Sequence, residues 1–313
     1  MSRKLEGSPP STILPVGSID SHVHVYSQDY PSQGNGLPLP ADFANYAMYQ
    51  RLQQWLGIDR AVLVQPNAYQ TDNRCLLDVQ EQMGNNARTI VAIKPGCSEK
   101  TLQELHDQGV RGVRIMQLLG GAVGSEKTLQ ELHDQGVRGV RIMQLLGGAV
   151  GMEELLAVNQ MVAPLNWSCI VQFDGREMLS YVPMLEKLIG NYVIDHAGKY
   201  LEPVSVNDPT FTAFLKLLDR GNCYTKLAGC YETSKSGAPN YEDVAVLSKA
   251  LALHAPERML WGSNWPHVSL PPEQSPDDSK LLDSVCGWMH NDQLIKKMFV
   301  ENPVELYGFD QPI

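Results

Sequence analysis

Short apolar, β-branched runs alternate with longer amphipathic stretches along most of this chain. The runs are SIDSHVHVY, RAVLVQPN, TIVAIKPG, VRGVRIMQL, WSCIVQFDG, NYVIDHAGK, NCYTKLAGC and RMLWGSNW. Between most of them lie helix-like segments such as ANYAMYQRLQQWLG, MEELLAVNQMVAPL, REMLSYVPMLEKLIG and EDVAVLSKALALHAP. That alternation predicts βα units on a parallel sheet. Eight such units in one large domain is the arithmetic of a (β/α)8 TIM barrel of the α/β class. A doubly wound open sheet is the alternative, but it lacks the glycine-rich phosphate turn after the first strand.

One unit occurs twice. The stretch SEKTLQELHDQGVRGVRIMQLLGGAVG fills Ser98 to Gly124 and again Ser125 to Gly151, 27 residues each time with no difference. Each copy reads as one helix, TLQELHDQG, and one strand, VRGVRIM. A solenoid needs several diverged copies, so two identical ones do not make one. In a closed barrel, strand number, tilt and shear are linked, and a ninth strand would change all three. A loop absorbs extra residues at little entropic cost. The expectation is an eight-stranded barrel with one copy displaced, and either copy could supply the strand. A displaced VRGVRIM would be an unpaired apolar strand, which invites swapping or aggregation.

The chain of 313 residues carries a net charge of −10 and no basic run, which argues against nucleic acid as a partner. No apolar run is long enough to span a membrane. The start, MSRKLEGSPPSTILPVGS, lacks the apolar segment of a signal peptide. Residues 1–15 read as a flexible polar arm and residues 16–313 as one catalytic domain. The six cysteines are scattered with no CxxC pair, which reads as reduced buried thiols in a cytoplasmic protein.

Several polar residues sit where barrel strands end, the catalytic face of such folds. His22 and His24 are two apart in IDSHVHVY, so both face one side, together with Asp20. Two converging imidazoles can bind metal or move protons, or they are hydrogen-bonded core histidines. His196 ends VIDHAGK, with Lys199 just beyond, and alternation puts its neighbour Asp195 on the opposite face. WGSNWPH offers Asn264 and His267. Asn264 stands where a carboxylate would complete a metal site or act as base, and an amide does neither well. Gln172, Gln65 and Asn67 end other strands as hydrogen-bonding or structural amides. Lys226 in YTKLAG is a salt-bridged strand residue or a substrate contact. Tyr231 and Glu232 follow it, and Glu232 reads as a solvated carboxylate ahead of a loop-borne base. Arg114, and its twin Arg141, share a face with a glycine that leaves them room, with Arg111 on the other face. A fixed guanidinium inside a barrel suggests a carboxylate ligand.

These residues carry a resemblance. The strand-1 H-x-H, the strand-6 histidine and WGSNWPH, with segments such as WLGIDR, QPNAYQTDN, RIMQLLGGAV, DHAGK, LAGCYETS and VENPVELYGF, resemble the amidohydrolase superfamily in its branch of lactonases. The match runs from about residue 15 to 310, apart from one copy of the repeat. It implies a TIM barrel and isomerisation of a galactarate or glucarate 1,5-lactone to the 1,4-lactone, in uronate breakdown. Lactone hydrolysis, or a metal-dependent hydrolase or decarboxylase, is the alternative. The resemblance implies no cofactor and no required metal. The superfamily's strand-5 histidine and strand-4 carboxylated lysine are absent, as Gln172 and the RIMQ strand show. Carried over, the site is His22, His24, Gln172, His196, Asn264, His267 and Arg114 or Arg141. Ring transfer then needs a histidine to take a proton and another to return it, amides to hold the oxyanion or hydroxyls, and the arginine on the free carboxylate, with Lys199 or Lys226 helping. The partner is a small aldarolactone.

Overall fold

A computed structural model describes residues 3–33, 37–116, 151–289 and 291–311. Eight strands form one sheet in chain order, every neighbouring pair parallel. They are β1 (Ile19–Val23), β2 (Arg60–Val64), β3 (Ala87–Val91), β4 (Val110–Met116), β5 (Ser168–Gln172), β6 (Tyr192–Ile194), β7 (Cys223–Leu227) and β8 (Met259–Trp261). Runs such as RAVLV and SCIVQ are buried at every position. Strands covered on both faces read this way, as near-continuous apolar runs rather than alternating ones.

Among the described residues the helices following the strands are α1 (Tyr46–Leu56), α2 (Arg74–Met83), α3 (Glu99–Asp107), α4 (Leu155–Val162), α5 (Met178–Leu185), α6 (Pro209–Asp219), α7 (Glu242–His254) and α8 (Asp278–Met289), with the short α9 (Asp292–Lys296) and α10 (Asn302–Tyr307) after them. Local chemistry sets their ends. Asn45 caps α1 by accepting from the Met48 N–H, and Gly57 closes it at φ 74°. Asp208 caps α6, with Pro209 at its first position.

The first copy of the repeat supplies α3 and β4, with Ser98 as N-cap. β4 pairs with β3 through Ile90 and Gly112, and with β5 through Arg114 and Ile170. The described residues thus hold eight strands. All but the last residue of the second copy, Arg141 included, lies outside them. Gly112 is required by close approach: a Cβ there would stand 2.6 Å from the Ser168 carbonyl oxygen and 2.8 Å from Ile90 Cδ1. The room it leaves is claimed by β5 and β3, not by Arg114.

The barrel closes beyond the end of β8. The Asn264 N–H donates to His22 O at 2.8 Å, and the His24 N–H to Trp265 O at 2.9 Å. Gly262 permits this, since a Cβ there would meet His22 Cβ at 2.4 Å. The first residues, expected as a flexible arm, lie against the barrel. Arg3 pairs with Asp42 at 2.8 Å and donates to Pro266 O, and the backbone of Ser11 and Thr12 donates to Asp283 on α8.

All six cysteines are unpaired, and burial pushes the thiols of Cys169, Cys223, Cys230 and Cys286 up to about 12, which removes them as nucleophiles. No helix among the described residues is long and apolar enough to cross a membrane.

Candidate active site

At the end of the barrel where β1 meets β8, His22 and His24 touch, Nε2 to Nε2, at 3.3 Å. Val64 O lies 2.8 Å from His24 Nδ1. A carbonyl only accepts, so the His24 proton is on Nδ1 and its Nε2 receives the proton of His22 Nε2. His22 Nδ1 then faces Lys226 Nζ at 3.3 Å. Both nitrogens of His22 are engaged, and its side chain is fully buried.

Asp20 does not join this pair. A register irregularity follows it in β1, and its carboxylate accepts from Ser263 Oγ at 2.6 Å, the Ser263 N–H at 2.9 Å and Tyr49 of α1 at 3.1 Å. It ties β1 to the turn after β8 instead of facing the site.

Asp195 corrects the expectation in the other direction. β6 ends at Ile194, and the chain turns sharply with φ of 53° at His196 and 51° at Ala197. Alternation stops applying there, so Asp195 and His196 both reach the site. Asp195 Oδ1 lies 3.4 Å from His22 Nδ1 and 3.7 Å from Lys226 Nζ. His196 Nδ1 lies 3.1 Å from Ala228 O, which fixes its proton there and leaves Nε2 as an acceptor.

Lys226 is buried beneath the histidines rather than open to a ligand. Burial pulls its ammonium down to about 8 against the opposing pull of Asp195. Burial also works to raise the Asp195 carboxyl, but His22 and Lys226 hold it well below the usual range.

Arg114 projects among these groups from β4. Its Nη1 donates to Gln65 O at 3.0 Å and its Nη2 to Gln172 Oε1 at 3.1 Å. Its Nε is buried and has no partner among the described residues. Gln65 itself donates to Gln70 O and Asp72 O, the structural role.

On the far side, Asn264 Nδ2 donates to the Tyr231 oxygen at 2.8 Å and to Glu232 Oε1 at 3.2 Å. Glu232, expected as a solvated carboxylate, pairs with Lys199 at 2.5 Å. Burial would raise its carboxyl, and Lys199 with His196 holds it far below the usual range. His267, expected at the substrate, turns its ring nitrogens to protein partners. It is buried with Nδ1 2.9 Å from the Tyr231 hydroxyl and Nε2 3.0 Å from Asp278 of α8. Neither Tyr231 nor Asp278 carries a role that the sequence pattern reveals. The turn that joins them runs through positive φ at Asn264 and His267, and no spacing rule encodes it.

His22, Asp195 and His196 each offer a ligand atom, all within 4.8 Å of one another. These atoms do not fit an added divalent ion. Lys226 already stands against His22 Nδ1 and Asp195, and the Arg114 guanidinium adds positive charge beside them.

Burial, the leading cause for each, holds the imidazoles of His22, His24 and His196 below their ordinary value, His24 at about 3. A histidine kept neutral in the fold contributes stability that is complete above its unfolded pKa of about 6.5 and is lost as pH falls below it. The two most strongly held, His22 and His24, make the protein about 3 kcal/mol less stable at pH 5.5 than at pH 7.5. Denaturant unfolding at the two pH values checks this, and equal stabilities would contradict it.

The amidohydrolase family profile matches residues 19–130 and 122–309. The two stretches overlap, and each contains one complete copy of the repeat. The chain is 38% identical to the D-galactarolactone isomerase of Agrobacterium fabrum (strain C58 / ATCC 33970), over 97% of this chain and 96% of that protein. It is 27% identical to a 2-pyrone-4,6-dicarboxylate hydrolase of Comamonas testosteroni, over 96% and 93%. An apo crystal structure from Agrobacterium tumefaciens superposes with a TM-score of 0.87 at 36% identity, covering 99% of this chain and 100% of that one.

Proposed function

Because the chain belongs to the amidohydrolase family, we propose that it is a lactone isomerase that converts an aldaro-1,5-lactone, galactarate's or glucarate's, into the 1,4-lactone without a metal. The observation that carries this reading is the state of the carboxylates. Asp195 is held by Lys226, and Glu232 by Lys199. Hydrolysis needs a base to activate water, and the position after β8 that would carry one holds Asn264. An internal acyl transfer needs no water, because the substrate's own C4 hydroxyl attacks the lactone carbonyl and the C5 oxygen departs.

Of the three histidines expected to share the work, His22 and His24 are committed to each other, to Lys226 and to Val64. His196 keeps Nε2 as an acceptor, suited to a substrate hydroxyl. Arg114, whose two hydrogen bonds go to neutral oxygens, would take the substrate's free carboxylate, with Gln172 orienting the guanidinium. Lys199, Glu232 and Asn264 form a polar wall for the remaining hydroxyls.

The test is proton NMR of fresh galactaro-1,5-lactone with chelator-treated protein. The 1,4-lactone is expected faster than in buffer alone. Open-chain galactarate instead would make the protein a hydrolase of the kind named among its relatives.

A further inference from the structure

Asp278, His267 and Tyr231 form a hydrogen-bonded line that ends at the site, and the roles along it follow from valence. The Asp278 carboxylate only accepts, so His267 carries its proton on Nε2, at 3.0 Å from Oδ1. His267 Nδ1 is then a lone pair and must receive the Tyr231 O–H at 2.9 Å. The Tyr231 oxygen also receives the Asn264 Nδ2–H at 2.8 Å. A hydroxyl has one proton and two lone pairs. The proton and one lone pair are taken, which leaves one lone pair. Tyr231 is only partly buried, while His267 and Asp278 behind it are closed off. The arrangement has the logic of a serine–histidine–aspartate triad with a phenol in the serine's place.

We infer that Tyr231 is a catalytic residue, the proton shuttle of the ring transfer, with His267 and Asp278 as the positioning residues behind it. This rests on the isomerase reading above. In the first step the C4 hydroxyl proton passes to the Tyr231 oxygen as Tyr231's own proton passes to His267 Nδ1. The C4 oxygen bonds to the carbonyl carbon, and the carbonyl π pair moves onto its oxygen. The imidazolium formed is met by the Asp278 carboxylate. In the second step the oxyanion collapses and the bond from the carbonyl carbon to the C5 oxygen breaks. That oxygen takes a proton from Tyr231, and Tyr231 recovers one from His267. One shuttle serves both oxygens because they are on adjacent carbons, so the site returns to its starting state with no net proton change. Burial, reinforced by the Glu232 carboxylate, holds the Tyr231 hydroxyl well above its ordinary value. A phenol in that state passes a proton on rather than resting as phenolate.

The test measures kcat and KM for galactaro-1,5-lactone isomerisation by wild type, Tyr231→Phe and Asp278→Asn, each also in mixtures of light and heavy water. Tyr231→Phe is expected to lower kcat by about 10³ with KM within about threefold, and Asp278→Asn to lower kcat by about 10². The wild-type rate should curve with deuterium fraction, as two moving protons require, and that of Asp278→Asn should be linear. Tyr231→Phe with kcat near wild type, or with its whole loss in KM, would overturn the assignment. If Tyr231→Phe does not fold, the Asp278→Asn rate and curvature decide in the same way. A wild type that does not isomerise the lactone overturns the isomerase reading itself, and this assignment with it.

Discussion

Lys226→Met lowers the free energy of unfolding by about 3–5 kcal/mol, because it strands a carboxylate in the barrel interior. Lys226 is fully buried on β7, and its Nζ is the cation nearest Asp195, at 3.7 Å. Neither Asp195 oxygen has a hydrogen-bond partner among the described residues. A buried pair with such loose geometry gains little beyond its own desolvation, yet removing one partner leaves the other charge uncompensated. Lys226→Met/Asp195→Leu should therefore recover most of the loss. Urea midpoints at pH 7.5 for the two variants would show this. A single substitution as stable as wild type would mean that Asp195 is compensated elsewhere. The lysine also fixes His22 Nδ1, so activity should fall together with stability.

Arg114→Ala/Arg141→Ala lowers kcat/KM by about 10³, most of it in KM. Two charge-assisted hydrogen bonds to a carboxylate, at about 1.5–3 kcal/mol each, set that scale. Arg114 pairs with no carboxylate among the described residues, and its hydrogen bonds go to Gln65 O and Gln172. A guanidinium held this way is completed by an anionic ligand. The double substitution is needed because Arg141 occupies the matching place in an identical segment. A double variant with wild-type KM would remove the arginine from substrate binding.

The barrel was legible because βα alternation is a local pattern repeated eight times. His22, His24 and His196 were legible for a related reason: polar residues at the ends of apolar strands are exceptions to an otherwise clean pattern. Asp195 was misplaced because strand periodicity was carried past Ile194, the end of β6, to the edge of the turn at His196. Asp20 was misplaced by the irregularity in β1. The line from Tyr231 to Asp278 was invisible for a different reason. It joins the turn after β7 to the first residue of α8, 47 residues on, through a turn at Asn264 and His267 that only the folded backbone reveals. Lys226 was left open between core and ligand contact, since a lysine in a strand reads the same for both until its partner is known.

Residues 126–143 repeat residues 99–116 letter for letter, so they would bring the same side chains to α3 and β4. With the first copy in place, the lengths of chain on either side of it are seven residues (92–98) and 35 residues (117–151). With the second they would be 34 and eight. Closure entropy distinguishes these by only about 0.1 kcal/mol. If either segment can complete the barrel, a damaging change in one copy would cost no more than RT ln 2, about 0.4 kcal/mol, because the intact copy would take its place.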